Sequence, residues 1–157
     1  MIRFAAIASA SLALALGSAA PRAQTFSDNE GSLKSCKAAN VGLRDLAINA
    51  QGSGVRSFYE GAALVLQVDQ IEPAAASAGI VVLLIDPQSE LGDRNCYAAT
   101  GFNGLNLDNA KSSYAPSTGV TLRIPAMNYD AETGTSKPGR ALVLTINAAT
   151  GTVTATR

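Results

Sequence analysis

A repeated Thr-Gly turn divides the last third of the chain into short strands. Three segments of the sequence, residues 115–119, 130–134 and 148–151, end in Thr-Gly. Glycine reaches the positive φ that closes a hairpin turn without steric cost. Residues 141–146 and 152–156 are rich in branched side chains and flank the last of these turns. We therefore predict an antiparallel hairpin at that turn and hairpins at the other two.

The middle of the chain also has strand patterns. The apolar residues Leu64, Leu66 and Val68 recur at every second position, which is typical of a strand. Residues 80–85 form an uninterrupted apolar run between a glycine and an Asp-Pro pair. A short run of this kind, rich in branched residues, predicts a strand that is buried on both faces. Residues 96–99 predict a further strand.

The segment before these strands has helical spacing. Ser27 and Glu30 match a capping box, in which each side chain bonds to the backbone N–H of the other residue. Apolar side chains then recur at helical intervals, and charged side chains fall largely off that stripe. Gly52 and Gly54 indicate the end of the helix and a flexible exit from it. The pattern predicts one helix from about residue 28 to residue 50 at most, and a helix that breaks near residues 40–42 is the alternative.

Together these elements predict a β-dominant α+β fold. One N-terminal helix would pack on a mostly antiparallel sheet of about six to eight strands, which run from about residue 58 to residue 156. The number of strands leaves open whether the sheet is curled, closes as a barrel or folds over as a sandwich. The length of residues 24–157 suits a single globular domain.

The first 23 residues have the parts of a secretory signal peptide. Arg3 precedes an apolar run over residues 4–16, and small residues follow it. Cleavage is predicted after Ala19 or after Ala23. The apolar run is shorter than the about 20 residues that a membrane-spanning helix needs, and no later segment is long and apolar enough either. We therefore expect an exported protein without a membrane span, either periplasmic or extracellular.

Cys36 and Cys96 are the two cysteines of the chain. In an exported protein an even number of cysteines indicates disulfide bonds, and two residues allow one pairing. Redox-active pairs normally lie two residues apart, which does not fit this spacing. We predict a structural Cys36–Cys96 disulfide, and a pair of buried free thiols is the alternative.

The composition excludes several kinds of function. The sequence contains no histidine, so Ser-His and Cys-His catalytic arrangements and His-ligated zinc sites are excluded. Charged residues make up 15% of the chain and basic residues do not cluster, which argues against a nucleic-acid partner. No cofactor-binding pattern or metal-ligand spacing is found, so no cofactor is predicted.

Two polar segments are candidate sites. The first is a loop that bears Asp86, Glu90, Asp93 and Asn95, whose oxygen atoms are of the kind that binds calcium. Its spacing does not match an EF-hand loop, and the alternative is a solvated loop that leads to Cys96.

The second candidate is an acidic turn that bears Asn128, Asp130 and Glu132. Paired carboxylates perform acid–base chemistry in glycoside hydrolases. The alternative is ordinary turn chemistry, because aspartate favours such positions.

No catalytic constellation emerges from these residues. The sequence therefore favours a non-enzymatic exported module that binds an unidentified protein, polymer or small ligand. One alternative is a small hydrolase that uses Asp130 and Glu132, or Asp86 and Asp93. The other is a structural subunit of an envelope assembly.

Overall fold

Antiparallel strands dominate the chain. The structure, a computed structural model, describes residues 32–48, 52–70 and 76–157. Within these ranges, the 3₁₀ helices Leu43–Asp45 and Tyr59–Gly61 accompany the strands. In chain order the strands are β1 Leu33–Ser35, β2 Val55–Phe58, β3 Ala63–Asp69, β4 Ala78–Ile85, β5 Arg94–Phe102, β6 Gly104–Leu105, β7 Lys111–Ala115, β8 Gly119–Ile124, β9 Ala126–Asp130, β10 Thr135–Pro138, β11 Leu142–Asn147 and β12 Thr152–Thr156. The β-dominant, antiparallel character that the sequence predicts is confirmed.

The described strands form three sheets, and none of the three closes on itself. The five-stranded sheet has the order β1-β5-β4-β3-β2, and the four-stranded sheet has the order β12-β11-β8-β7. The third sheet has the order β10-β9-β6. The prediction of one sheet with about six to eight strands therefore gave too few sheets and too few strands, and the sequence pattern did not indicate the short strands β1, β2 and β6.

The Thr-Gly turns close hairpins, as predicted. β7 pairs with β8, β9 with β10, and β11 with β12, all antiparallel. Gly119 shows why the first of these turns needs glycine. Its φ is +88°, and a Cβ at this position would lie 2.2 Å from the carbonyl oxygen of Ile146.

The predicted N-terminal helix is wrong for the residues that the structure describes. β1 pairs with β5, and the chain then turns at Asn40, whose φ of +52° does not occur within a right-handed helix. Only the single 3₁₀ turn Leu43–Asp45 follows. Tertiary burial outweighs helical spacing here, because Val41 and Leu46 reach the neighbouring sheet from turn and extended backbone. The rest of the predicted helix, with Ser27 and Glu30, and the predicted signal peptide lie outside the described residues.

The main core lies between the five-stranded and four-stranded sheets, so the fold is a sandwich over this part. Successive side chains of a strand point to opposite faces. One face of β4, with Ile80, Val82 and Leu84, therefore meets the inner face of the four-stranded sheet, which includes Leu122 and Leu144. These five side chains are 0–1% exposed. Full burial of each such side chain contributes about 1.5–3 kcal/mol.

A segment before β2 covers the other face of the five-stranded sheet. We call residues 36–48 the N-terminal strap. Its Cys36, Val41 and Leu46 pack on a second buried cluster that includes Leu66 and Val81. β4 is thus buried on both faces, as predicted from its apolar sequence.

The predicted Cys36–Cys96 disulfide holds the strap to β5. The two Cα atoms lie 5.4 Å apart across a sequence separation of 60 residues. The Cys36 N–H also donates to the Cys96 carbonyl oxygen at 3.1 Å. Closing a loop of this length stabilises the folded state by about 4 kcal/mol in the chain-entropy model.

A bulge at Gly101 places the largest side chain of the core. Ala78 pairs with Phe102 while Gly79 pairs with Thr100, so Gly101 is an extra residue in β5. Its φ of +93° suits glycine. Because the extra residue reverses the side-chain alternation, Phe102 points into the core and is fully buried.

Tyr59 connects the five-stranded sheet to the four-stranded sheet through hydrogen bonds. It follows β2 of the five-stranded sheet and has a left-handed backbone, with φ of +54°. Its hydroxyl donates to the carbonyl oxygen of Ile146 and accepts the N–H of Val120, both at 2.9 Å. Those two residues are paired on β11 and β8. One side chain therefore bridges two strands of the opposite sheet.

We expect Gly101→Ala to lower the free energy of unfolding by about 1–3 kcal/mol, because an L side chain is strained at this φ. Urea denaturation of the oxidised protein measures the change. Gly42→Ala is the control, since φ there is −132° and the nearest atom to an added Cβ is 4.0 Å away. Equal losses in the two variants would contradict the role of the bulge.

Candidate functional site

The outer face of the four-stranded sheet carries hydroxyl side chains. Inward-pointing Leu122 and Leu144 fill the core, so their neighbours Thr121 and Thr145 point outward. The register aligns four hydroxyl residues in one row across β7, β8, β11 and β12. We call this the hydroxyl row: Ser113, Thr121, Thr145 and Thr154.

Two cations lie directly opposite each other beside the hydroxyl row. Lys111 of β7 pairs with Arg123 of β8, and both side chains are exposed. Like charges in directly opposite positions destabilise a sheet. Among the described residues, the ion pairs are Arg44–Asp45 and Lys137–Asp130, so neither cation of this pair has a carboxylate partner.

A groove extends from this cation pair. Its volume is about 490 Å³. Lys111, Arg123 and Arg140 supply its charges, and we call it the basic groove. Among the described residues, no aspartate or glutamate lines it. The other described lining residues are Asn109, Pro125, Ala126, Met127, Pro138, Gly139 and Ala141.

Arg157 positions the rim of the basic groove. Its Nε donates to the carbonyl oxygen of Arg140 at 3.2 Å, and its Nη2 donates to Oδ1 of Asn128 at 2.6 Å. Its guanidinium carbon also lies 5.4 Å from the centre of the Phe102 ring. Partial burial lowers the pKa of Arg157. Asn128 thus contacts the residue that holds the groove rim.

The acidic turn is organised by its own hydrogen bonds. Oδ1 of Asp130 accepts the N–H groups of Glu132 at 3.0 Å and of Thr133 at 3.4 Å, and Oδ2 pairs with Lys137 Nζ. The bond from Lys137, followed by that from the Thr133 side chain, lowers the pKa of Asp130. This arrangement keeps Asp130 ionised and engages both of its oxygens.

The loop with Asp86, Glu90 and Asp93 is also held by its own hydrogen bonds. Oδ1 of Asp86 accepts the Gln88 N–H at 2.9 Å, and the Asp86 N–H donates to the carbonyl oxygen of Asp93 at 2.8 Å. Glu90 is exposed, whereas Asn95, which we expected in this loop, is an exposed residue of β5. Within the described ranges, no group of three or more histidine, cysteine, aspartate or glutamate side chains is arranged to hold a metal ion.

Sequence reasoning missed a carboxylate at Asp108. It accepts the Ser53 hydroxyl and the Gly54 N–H, the latter at 2.9 Å, while Arg56 donates to its backbone carbonyl. The Ser53 bond, then the Gly54 bond, lower the pKa of Asp108 against the opposing effect of desolvation. Gly52 and Gly54, which we expected to end a helix, instead lead into β2 beside this carboxylate.

The cation pair was also missed, although a signal for it exists. Lys111 and Arg123 each lie six residues from Ser117 (117 − 111 = 6 and 123 − 117 = 6). A hairpin centred on the predicted turn at 115–119 would therefore have placed them opposite each other. Nothing in the sequence indicates that Arg140 joins them.

Comparison of the chain with protein-family models, with curated proteins and with solved structures gives no match. Its function must therefore be inferred from the residues themselves.

The lowered pKa of Asp108 predicts how the free energy of unfolding changes at acidic pH. A lowered folded-state pKa stabilises the protein above the unfolded pKa of about 3.9, and this stabilisation is lost as pH falls through the folded value. We expect Asp108→Asn and Ser53→Ala to flatten the decline of unfolding free energy below about pH 5. Urea denaturation across that range measures it, with the exposed Ser112→Ala as control.

An NMR titration of the Asp108 carboxyl carbon in the unmodified protein tests the same point directly. A titration midpoint at the ordinary value of 3.8 would contradict the predicted interaction with Ser53 and Gly54.

Proposed function

We propose that this chain is an exported, non-enzymatic binding module that takes an anionic group in the basic groove. The observation that carries the proposal is the directly opposed pair of Lys111 and Arg123, joined by Arg140 in a groove whose described lining holds no carboxylate. A carboxylate, phosphate or sulfate group has the charge and the acceptor oxygens that complement these side chains.

The cost of the cation pair favours a binding role. Opposed like charges destabilise the empty sheet, and a bound anion would remove that repulsion. The hydrogen bonds would be charge-assisted, which makes them roughly twice as strong as neutral ones. Arginine adds a planar fork that can bind a carboxylate or phosphate in a bidentate manner.

Export is part of this proposal. The disulfide is typical of oxidising compartments such as the periplasm or the extracellular space. In the part of the chain that the structure covers, no helix has the length and apolar character needed to cross a bilayer. The signal-peptide pattern of residues 1–23 supplies the route.

The two alternative functions receive less support. A hydrolase would need free carboxylates, whereas those of Asp130, Asp86 and Asp93 accept hydrogen bonds within their own turns. An envelope subunit could use the edge strand β7, whose residues are all exposed. That edge is short and begins with a lysine, and both features discourage pairing with another chain.

Neutralising the cation pair should change stability and binding in opposite directions. We expect Lys111→Gln combined with Arg123→Gln to raise the melting temperature without ligand, because the repulsion is removed. The same variant should bind pyrophosphate, sulfate and citrate about tenfold or more weakly, because charge-assisted bonds are lost. Calorimetry at low ionic strength measures both effects.

The matched control is Lys34→Gln combined with Lys37→Gln. It changes the net charge equally but alters exposed lysines of β1 and the strap. If both double variants bind these anions as the unmodified protein does, the basic groove is not the binding site.

The mass of the mature protein tests whether the chain is exported and its signal peptide removed. We expect the denatured, non-reduced protein from the periplasmic or extracellular fraction to lack residues 1–19 or 1–23. It should also be about 2 Da lighter than its reduced form, because one disulfide removes two hydrogens. Recovery of the full-length chain from the cytoplasm alone would contradict export.

A further inference from the structure

We infer that the ligand is an acidic polysaccharide, with its charged groups in the basic groove and its neighbouring sugar units on the hydroxyl row. This inference rests on the proposed function and specifies its ligand. The two features share one surface, because Lys111 and Ser113 are alternate residues of β7 and Arg123 and Thr121 are alternate residues of β8. Alternate residues of a strand lie about 6.6–6.8 Å apart.

The dimensions suit an extended chain rather than a single small ion. The hydroxyl row crosses four strands, so its three interstrand spacings amount to about 14 Å. Ser113 and Thr154 at its ends are exposed, and Thr121 and Thr145 between them are partly exposed. A polymer that is anchored in the groove would therefore meet further polar groups beyond its anchored unit.

The chemistry of the face favours sugar hydroxyls. A serine or threonine hydroxyl both donates and accepts hydrogen bonds, as a sugar hydroxyl does. Strand alternation also brings Thr152 and Thr156 of β12 to this face, beside Val143 and Asn147 of β11. No acidic residue occupies an outward position on β7, β8, β11 or β12, so nothing on these strands repels an anionic chain.

The same face argues against the two other kinds of polymer. Protein interfaces are enriched in aromatic residues at their centres, and the outward positions of these four strands hold none. Nucleic-acid sites need a continuous stripe of basic residues. Here the charges are confined to the groove at one end of the face, and uncharged hydroxyl residues follow.

Calorimetry with oligosaccharides of defined length tests this inference. The probes are galacturonate, its trimer and its hexamer, with neutral cellohexaose for comparison. We expect affinity to rise about tenfold or more from galacturonate to its hexamer, because additional units engage additional groups. Cellohexaose should not bind measurably.

Hydroxyl deletions separate the row from the groove. Thr121→Val combined with Thr145→Val should weaken binding of the hexamer by about fivefold for each hydroxyl that bonds to it, while binding of galacturonate stays unchanged. Ser113→Ala combined with Thr154→Ala makes the same test at the ends of the row, where packing is less affected. Ser57→Ala, an exposed serine of the five-stranded sheet, is the control.

The outcomes distinguish this inference from the proposed function. If galacturonate and its hexamer bind equally and the hydroxyl deletions have no effect, the polysaccharide is excluded and the anion groove stands. If cellohexaose binds as well as the acidic hexamer, or a glutamate hexapeptide binds as tightly and ignores the hydroxyl deletions, the inference is also overturned. If pyrophosphate, sulfate, citrate and all uronates fail to bind, both proposals fall.

Discussion

The burial of β4 on both of its faces is the constraint on which the rest of the structure depends. The side chains that β4 directs to either face of the five-stranded sheet are apolar, so each face must pack against another part of the chain. The four-stranded sheet covers one face and the N-terminal strap covers the other. The two covers are secured differently, since Tyr59 bonds to the first and the Cys36–Cys96 bridge holds the second.

Within the part of the chain that the structure describes, this arrangement leaves the outer face of the four-stranded sheet uncovered. Its inner face is committed to the core, and no described layer covers the side that carries the hydroxyl row and the cation pair. The sheet that presents them is fixed from behind by buried leucines and isoleucines, and Arg157 holds the backbone of Arg140 at the groove rim. A rigid sheet with uncompensated charges is a preorganised surface, which lowers the entropic cost of binding.

The candidate site is basic, whereas the two sites that the sequence suggested are acidic. The acidic residues of this sequence cluster in turns, which made them candidate sites. In these turns, however, the carboxylates of Asp130 and Asp86 accept local backbone hydrogen bonds. Among the cations of the groove, Lys111 and Arg123 lie on strands β7 and β8, whereas Arg140 lies in the connection between β10 and β11. Lys111 and Arg123 meet through hairpin register, which the position of the Thr-Gly turn implies. Arg140 reaches the same groove through tertiary packing, which leaves no local signal.

By itself, the sequence determined the features that depend on nearest neighbours and on chain chemistry: the Thr-Gly hairpins, the doubly buried strand β4 and the single disulfide that two cysteines allow. Only the tertiary structure decided how residues 33–48 fold, because an apolar stripe at helical spacing can equally be buried by turns and a short strand against a sheet. It also decided that Phe102 enters the core, since one extra residue at Gly101 reverses the alternation. The position of the proposed binding face has the same cause, because contacts between distant strands are set by packing, which no local segment of the sequence encodes.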